Sequence, residues 1–484
     1  MEMNDRIRID DPSAAGIAGA IARLITNGEL RAGDRLPTVR ELSTQLGVSP
    51  ATVSHGWRAL ARAGLVVSRG RSGTFVADGN SHTAPSRADG MTRGATTAQL
   101  DLSLGTPDPD LLPEIGSILT RLALNTETTD YHQAPVVPEL GRFLQAEWPT
   151  KSGALTVVDG AMDAVARSLH AVVRFGDRVI VENPTFPHFL DYLESIGAQP
   201  VPVRMDAEGV LPDEFARALS TGPTAAVIQP RAQNPTGASI SAQRAEELAA
   251  VLRRSEHRCV VIEDDHSGPV VPAEDVSLGR WLPDLVLHVR SYSKSHGPDL
   301  RIAALSGPET IIDRIVATRM LGPGWTPRIL QRALFEMLRD QTVIHTVEYA
   351  RTQYQRRRRA LTEALRGHGV HVADGQGLNV WVPVTDERTA LIHLAANGIR
   401  VAPGGPFYPA DRGNPHAVRV TTAPLRDNPG EVAHILAVAA SPRRAEHFSL
   451  GTTPTQSRTG PAVPPPISDE RPMRSSSHRA GRDG

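Results

Sequence analysis

The chain is 484 residues long and carries 52 lysines plus arginines against 53 acidic residues, for a formal net charge of -1; it has room for several structural units and is not a uniformly basic nucleic-acid binder. A single cysteine, Cys259, excludes an internal disulfide framework and fits a reducing, cytoplasmic setting. The start MEMNDRIRIDD lacks the apolar core of an export signal, and no apolar run approaches the ~18 residues that span a bilayer, so neither export nor membrane insertion is expected.

The segment AGIAGAIARLITNGEL places Ile17, Ile21, Leu24 and Ile25 at helical spacing and closes on Asn27-Gly28, so a first helix is expected. LPTVRELSTQLGVSPATVSHGWRALARAGLV follows, with Thr38 as N-cap, Glu41 as its capping-box partner, a turn at Gly47 and a third helix starting at Ser49. A tight glycine turn between two helices, the second opening on small polar residues, lets a recognition helix enter the major groove N-terminus first. Its exposed start would carry Ser49, Pro50, Thr52 and His55. VVSRGRSGTFV then predicts two short strands around a Gly-rich tip, with Arg69 and Arg71 placed to meet phosphate or the minor groove. Between Arg31 and Phe75, seven arginines face only Asp34 and Glu41, the local excess that salt-dependent phosphate binding requires.

Composition shifts divide the chain into a reader over 1–76, a flexible Gly-, Ser-, Thr- and Ala-rich linker over 77–98, a large unit over 99–440, and a disordered Pro-, Ser- and Arg-rich tail over 441–484. In the large unit the apolar runs RVIVE, AAVIQP, CVVIED and LVLHV alternate with helical stretches such as SAQRAEELAAVLRR, which implies a mostly parallel sheet with helices on both faces. Cys259 opens one of these runs and reads as a buried thiol. The run Arg356 to Arg359 lies on a helix expected to begin near Thr346 and reads as a solvated, salt-bridged face.

Lys151 and Lys294 are the only lysines, so chemistry that needs a titratable amine has two internal candidates. Lys151, in WPTKSGAL, has turn-like neighbours and reads as a surface residue. Lys294 lies in RSYSKSHGPDLRIAAL, where Ser291, Ser293 and Arg301 add two hydroxyls and a guanidinium that can grip phosphate. Asp264 closes CVVIEDD at the ligand-binding edge of a parallel strand, and Asn234 is an amide donor on the turn fixed by Pro235 and Gly237. Gly160-Ala161-Met162 opens a helical stretch, a ready phosphate cradle, and Phe186 in VENPTFPHF is placed to stack on a ring. Pyridoxal phosphate needs these five things: an amine, an acid for its pyridine nitrogen, a donor for its phenolic oxygen, an anion cradle and a flat cover.

Residues 16–76, through GELRAGDRLPTVRELSTQLGVSPATV and GRSGTFV, resemble a GntR-type winged helix-turn-helix. The likeness implies DNA contacts from Arg35, Thr38, Arg40, Thr52 and Gly73, with Pro50 standing where the family usually carries arginine. Residues 102–423 resemble the aminotransferase fold of type I pyridoxal phosphate proteins, which implies an α/β fold with a mostly parallel central sheet and a smaller C-terminal α+β subdomain. That likeness makes Lys294 the Schiff-base lysine, Asp264 the pyridinium partner, Asn234 the phenolate partner and Phe186 the stacking ring. It also makes Ser291, Ser293 and Arg301 phosphate ligands, Tyr131 the tyrosine that reaches the neighbouring subunit's phosphate, and Arg419 with Gly105 the seat of an effector carboxylate. Two departures stand out: His266 takes the place of a tyrosine that supports the phenolic oxygen, and Met162-Asp163 replaces a more usual polar pair, with Asp163 near the phosphate unless it turns away.

The whole layout is similar to MocR-type regulators. The resemblance implies a homodimer on a double-stranded operator, pyridoxal phosphate as cofactor, no metal, and an amino compound or the vitamer itself as an effector that exchanges onto Lys294. Two other readings compete: a working aminotransferase that carries a DNA-binding module, and a cofactor-free dimerisation scaffold.

Overall fold

The computed structural model describes residues 9, 11–62, 64–68, 72–77, 87, 91, 98–123, 130–150, 153–409 and 413–441. Arg69, Arg71, Lys151 and the expected tail beyond Ser441 lie outside the described residues.

The reader is built as its sequence suggests, from α1 (Ala14–Thr26), α2 (Val39–Leu46), α3 (Pro50–Arg62) and the antiparallel pair β1 (Val66–Ser68) and β2 (Thr74–Val76). Thr38 Oγ1 accepts from the Glu41 amide at 3.2 Å while Glu41 accepts from the Thr38 amide at 2.7 Å, a complete capping box. Gly47, at φ 67, turns the chain in the left-handed region, and Ser49 Oγ accepts from the Thr52 amide at 3.1 Å to start α3. Ile17, Ile21, Leu42, Val53 and Leu60 are fully buried between the three helices, which fixes the angle at which α3 is presented.

The large unit runs through β3 (Leu100–Leu102), α4 (Gly116–Ala123), α5 (Pro138–Ala146), β4 (Ala154–Val158), α6 (Ala161–Val172), β5 (Arg178–Asn183), α7 (Pro187–Ser195), β6 (Gln199–Asp206) and β7 (Gly209–Val210). It continues with α8 (Pro212–Leu219), β8 (Ala225–Ile228), α9 (Ala242–Arg254), β9 (Val260–Asp265), β10 (Val286–Ser291), β11 (Ala303–Gly307), α10 (Glu309–Met320) and α11 (Arg328–Arg339). The last part holds α12 (Gln341–Gly367), β12 (Asn379–Pro383), α13 (Glu387–Ala396), β13 (Ile399–Pro403), β14 (Ala417–Thr421) and α14 (Pro429–Ala440).

Eight strands form one sheet in the order β4-β11-β10-β9-β8-β5-β6-β7. The pairs from β10 through β9, β8 and β5 to β6 are parallel, and β11 runs against both its neighbours. Every residue of β8, β9 and β10 is buried, because helices cover both faces. Alternation along β9 makes this concrete: Val260 and Ile262 pack with Val165 and Leu169 of α6, whereas Cys259 and Val261 pack with Leu248 and Leu252 of α9.

A second sheet has the order β12-β14-β13-β3. Its edge strand β3 comes from the start of the large unit and pairs in parallel with β13, so the smaller subdomain is not built from C-terminal sequence alone. Helix α12 joins the two cores, burying Tyr354 in one and Leu361 and Leu365 in the other. It begins at Gln341 rather than near Thr346, because the Asp340 carboxylate caps the Thr342 amide at 2.9 Å.

Two sequence readings need correction. The four-arginine run is not uniformly solvated: Arg356 and Arg359 are exposed, Arg357 pairs with Asp108 at 2.7 Å, and Arg358 is buried. Within the stretch read as a flexible linker, Arg87 is tied to Glu194 at 2.8 Å and Asp191 at 3.4 Å on α7, and Met91 is buried against Ala402 and Phe407.

Candidate cofactor site and DNA-reading face

Lys294 sits on the turn that follows β10, and its Nζ hydrogen-bonds His266 Nδ1. His266 Nε2 lies 3.1 Å from the Ala232 carbonyl. A carbonyl only accepts, so the imidazole proton belongs on Nε2 and Nδ1 is left to accept from the amine and from Ser267 Oγ at 3.2 Å. The residue that replaces the expected tyrosine thus engages the amine directly. Burial holds His266 well below the usual imidazole range and pulls Lys294 down to about 8, which leaves a share of the amine neutral near physiological pH. Ala232 itself occupies the left-handed region at φ 46, a conformation that the Gly377 backbone leaves room for.

Asp264, at the end of β9, acts electrostatically on this amine, and it is joined to Asn234, on the turn beyond β8, by a residue that sequence reasoning passed over. Gln229, just beyond β8, donates from Nε2 to Asp264 Oδ2 at 2.8 Å and accepts the Asn234 amide at Oε1, also at 2.8 Å. The second oxygen of Asp264 is buried and has no partner. Burial pushes this carboxyl up to about 6, with the Gln229 bond and Lys294 opposing. An acid oxygen orphaned in this way is a seat for a ring N–H. Below it, Glu182 is fully buried, receives the Gln229 amide and the Gln233 side chain at 3.1 Å each, and is pushed by burial to about 8.

The residues read as a phosphate cradle lie together at the start of α6. Gly160, at φ 102, precedes α6, and a Cβ there would fall 2.6 Å from Arg301 Nη2, so only glycine lets that guanidinium lie over the helix start. Arg301 is in the left-handed region and donates to the Asp159 carbonyl at 3.1 Å. Ala161 and Met162 form the first turn of α6, and Asp163 is turned to Arg167 at 2.8 Å and to the Asp159 amide at 3.2 Å. Its charge is therefore engaged. Ser291 and Ser293 flank Lys294 on the same turn, the Ser293 amide donating to Ser291 Oγ at 3.3 Å. Phe186 caps α7 and stacks on His188 with centroids 4.5 Å apart.

Arg419, on β14, is buried and bonds only neutral groups among the described residues: Asn234 Oδ1 at 3.3 Å and the Ser103 carbonyl. Its Nε has no partner, burial lowers it to about 10, and Gly105 leaves the room it needs, since a Cβ there would lie 3.1 Å from Nη1. Tyr131 is not part of this cluster in its own chain; it is 85% exposed, edge-on to Trp325. Asp265, Asp275 and His288 bring ligand atoms within 4.8 Å of one another, but Arg231 and Arg290 hold the two carboxylates.

On the reader, Pro50 and His55 are exposed at the start of α3, and Ser49 and Thr52 share a hydroxyl contact of 2.9 Å. Arg35 lies across the wing base, where a Cβ on Gly73 would come within 2.9 Å of its Nε, and Arg40 is exposed on α2. Thr38 is engaged in its cap.

Residues 13–76 match the family model for bacterial regulatory proteins of the gntR family, and residues 97–434 match that for aminotransferase class I and II. This chain belongs to the MocR-type regulators. The regulator is 35% identical over 430 residues to the vitamin B6 salvage pathway transcriptional repressor PtsJ of Salmonella typhimurium, covering 87% of this chain and 96% of the relative. It is 26% identical to the HTH-type transcriptional regulator TauR of Rhodobacter capsulatus, over 79% and 87% of the two chains. Its large unit has the fold of a Pyrococcus horikoshii kynurenine aminotransferase, with a TM-score of 0.64 at 20% identity over 73% of this chain and 93% of the other. The winged reader and the aminotransferase fold are thereby established for this regulator, and no described helix is long and apolar enough to cross a membrane.

Proposed function

We propose that this regulator reads operator DNA through α3 and the wing and holds pyridoxal phosphate in the large unit as the part that senses an amino compound or vitamer. One observation carries the reading: Asp264 acts on the Lys294 amine, Gln229 locks Asp264 to the Asn234 turn, and Asp264 keeps a buried oxygen unpaired. Bound there, the cofactor would supply an aldehyde for covalent attachment and an electron-poor ring.

The chain's own residues have defined tasks. Lys294 offers a partly neutral amine, and His266 Nδ1 accepts a hydrogen bond from it, which orients the amine. Asp264 would take the ring N–H, Asn234 would serve the phenolic oxygen, Gly160, Ala161, Met162, Ser291, Ser293 and Arg301 would hold the phosphate, and Phe186 would cover the ring. Arg419, buried without a carboxylate, receives an effector carboxylate beside Gly105. The relative named for vitamin B6 salvage favours a B6 vitamer as effector and repression as outcome.

A homodimer fits the surface. Tyr131 stands exposed against Trp325, Arg328 covers the same ring at 4.2 Å and donates to the Gln133 carbonyl at 2.8 Å, and Leu321 and Ile329 are exposed on the same stretch of chain. A second copy on this apolar patch would bring Tyr131 to the neighbouring phosphate and pair two readers for two half-sites in the cytoplasm.

The test is operator binding by purified protein with and without pyridoxal phosphate, followed with absorbance and borohydride trapping. A yellow protein that is trapped on Lys294 and changes its operator affinity supports the sensor. A colourless protein with no trapped residue defeats it, and steady release of keto acid on adding an amino donor would favour a working aminotransferase instead.

A further inference from the structure

Among the described residues, Arg358 is a buried cation with no ion-pair partner. It is 5% exposed, its Nε donates to the Gly375 carbonyl at 2.9 Å, and neither Nη1 nor Nη2 has a partner. Four N–H bonds are thus unused on a group that burial already disfavours. The nearby carboxylate of Asp374 is engaged by Arg366 at 2.5 Å. A glycine pair shapes the seat: a Cβ at 237 or 375 would fall 2.9 or 2.7 Å from Nη2.

The guanidinium lies at the floor of a cleft of about 670 Å³ that also presents Arg356, Arg359 and Arg366, with Glu363 and Asp374 as its only acids. Four positive groups face two negative ones, so two charges are uncompensated. None of the residues lining this cleft belongs to the cofactor site. We propose that this cleft binds a small phosphate-type oxyanion, seated on Arg358 and rimmed by Arg356 and Arg359. A phosphomonoester carries about -1.5 to -2 at neutral pH, which matches the uncompensated charge, and its oxygens suit the guanidinium fork. Duplex DNA is a poor occupant, because a convex backbone cannot reach a guanidinium buried at a cleft floor.

The floor adjoins the turn that carries Asn234. Gly237, against which Arg358 packs, accepts the Gln376 amide at 2.7 Å and donates to the Gln233 carbonyl at 2.6 Å. An anion drawn onto Arg358 therefore bears on the same turn that positions Asn234, from outside the pocket.

Full-length protein, its Gly160 and Arg301 cradle filled with pyridoxal phosphate fixed by borohydride, is freed of unbound cofactor by gel filtration and titrated with inorganic phosphate at constant ionic strength, with calorimetry and unfolding temperature as readouts. Saturable binding is expected, weakened at least about tenfold in Arg358→Gln, the worth of one lost charge-assisted contact. Should Arg358→Gln fail to fold, the surface pair Arg356→Gln/Arg359→Gln decides, with a several-fold loss expected. Affinity unchanged in the variant that folds, or a response that chloride reproduces, overturns the proposal. So does a variant whose phosphate affinity is intact but whose operator binding loses salt dependence, since the cleft would then be a DNA contact.

Discussion

Replacing Gln229 with leucine should damage the cofactor site without touching a group assigned to the cofactor. The substitution keeps the side-chain bulk but removes the donor to Asp264 Oδ2 and the acceptor for the Asn234 amide, both at 2.8 Å in buried surroundings. Each of the two orphaned buried groups costs about 1–3 kcal/mol, and the added apolar contact offsets about 1 kcal/mol, so a net loss of ~1–5 kcal/mol is expected. Asp264 would lose the bond that opposes its burial, and its carboxyl would rise above about 6. A more readily protonated Asp264 holds a ring N–H less well, so pyridoxal phosphate affinity should fall at least about tenfold. Urea unfolding of cofactor-free protein and a fluorescence titration with pyridoxal phosphate measure the two effects. A stability loss below about 1 kcal/mol, or unchanged cofactor affinity, would refute the bridge.

Burial sets Lys294 at about 8, so its neutral fraction climbs about tenfold per pH unit below that value and is nearly complete above it. The rate of pyridoxal phosphate attachment should follow this curve; a midpoint near the 10.5 of an ordinary lysine would argue that the amine is solvated. Gly73→Val combines a φ of 108 with a Cβ 2.9 Å from Arg35 Nε, and should weaken operator binding by more than tenfold while cofactor absorbance stays intact. Arg419→Gln should lower the response to carboxylated effectors and spare amines that lack a carboxylate, read as operator release. Cys259, buried and pushed to about 12, should resist alkylation in the native protein and react as a single thiol once unfolded.

Much of the architecture was legible because local signals agreed with one another. Thr38 and Glu41 announce a capping box at any exposed helix start, and four apolar runs between helical stretches leave little choice but a parallel sheet. The site's outer members were legible through spacing: an amine, two hydroxyls and a guanidinium lie within eleven residues of Ser291. Gln229 and Glu182 were not. A glutamine or glutamate at a strand end is as often solvated as buried, and only the packing of β5 against β8 brings Glu182, Gln229 and Asp264 together. The same holds for the arginine run, whose members differ solely in which side of α12 meets Asp108 or the Gly237 turn. The helix start at Gln341 was obscured by the β-branched residues Thr342, Val343 and Ile344, which read poorly as helix.

The anchoring of Arg87 on α7 bounds the length of chain between the wing and the large unit. From Val76, the last residue of β2, eleven peptide steps lead to Arg87, a tether of at most ~40 Å at 3.3–3.6 Å per step. Were the anchors at Arg87 and Met91 released, the free span to Leu100 would be twenty-four steps and roughly 80 Å. Arg87 grips the helix that Phe186 caps, and Met91 packs on the ring that Arg419 overlies at 5.2 Å, so both anchors stand beside residues of the candidate site. On the function proposed above, loss of either anchor would lengthen that stretch and widen the spacing of operator halves that two readers could straddle.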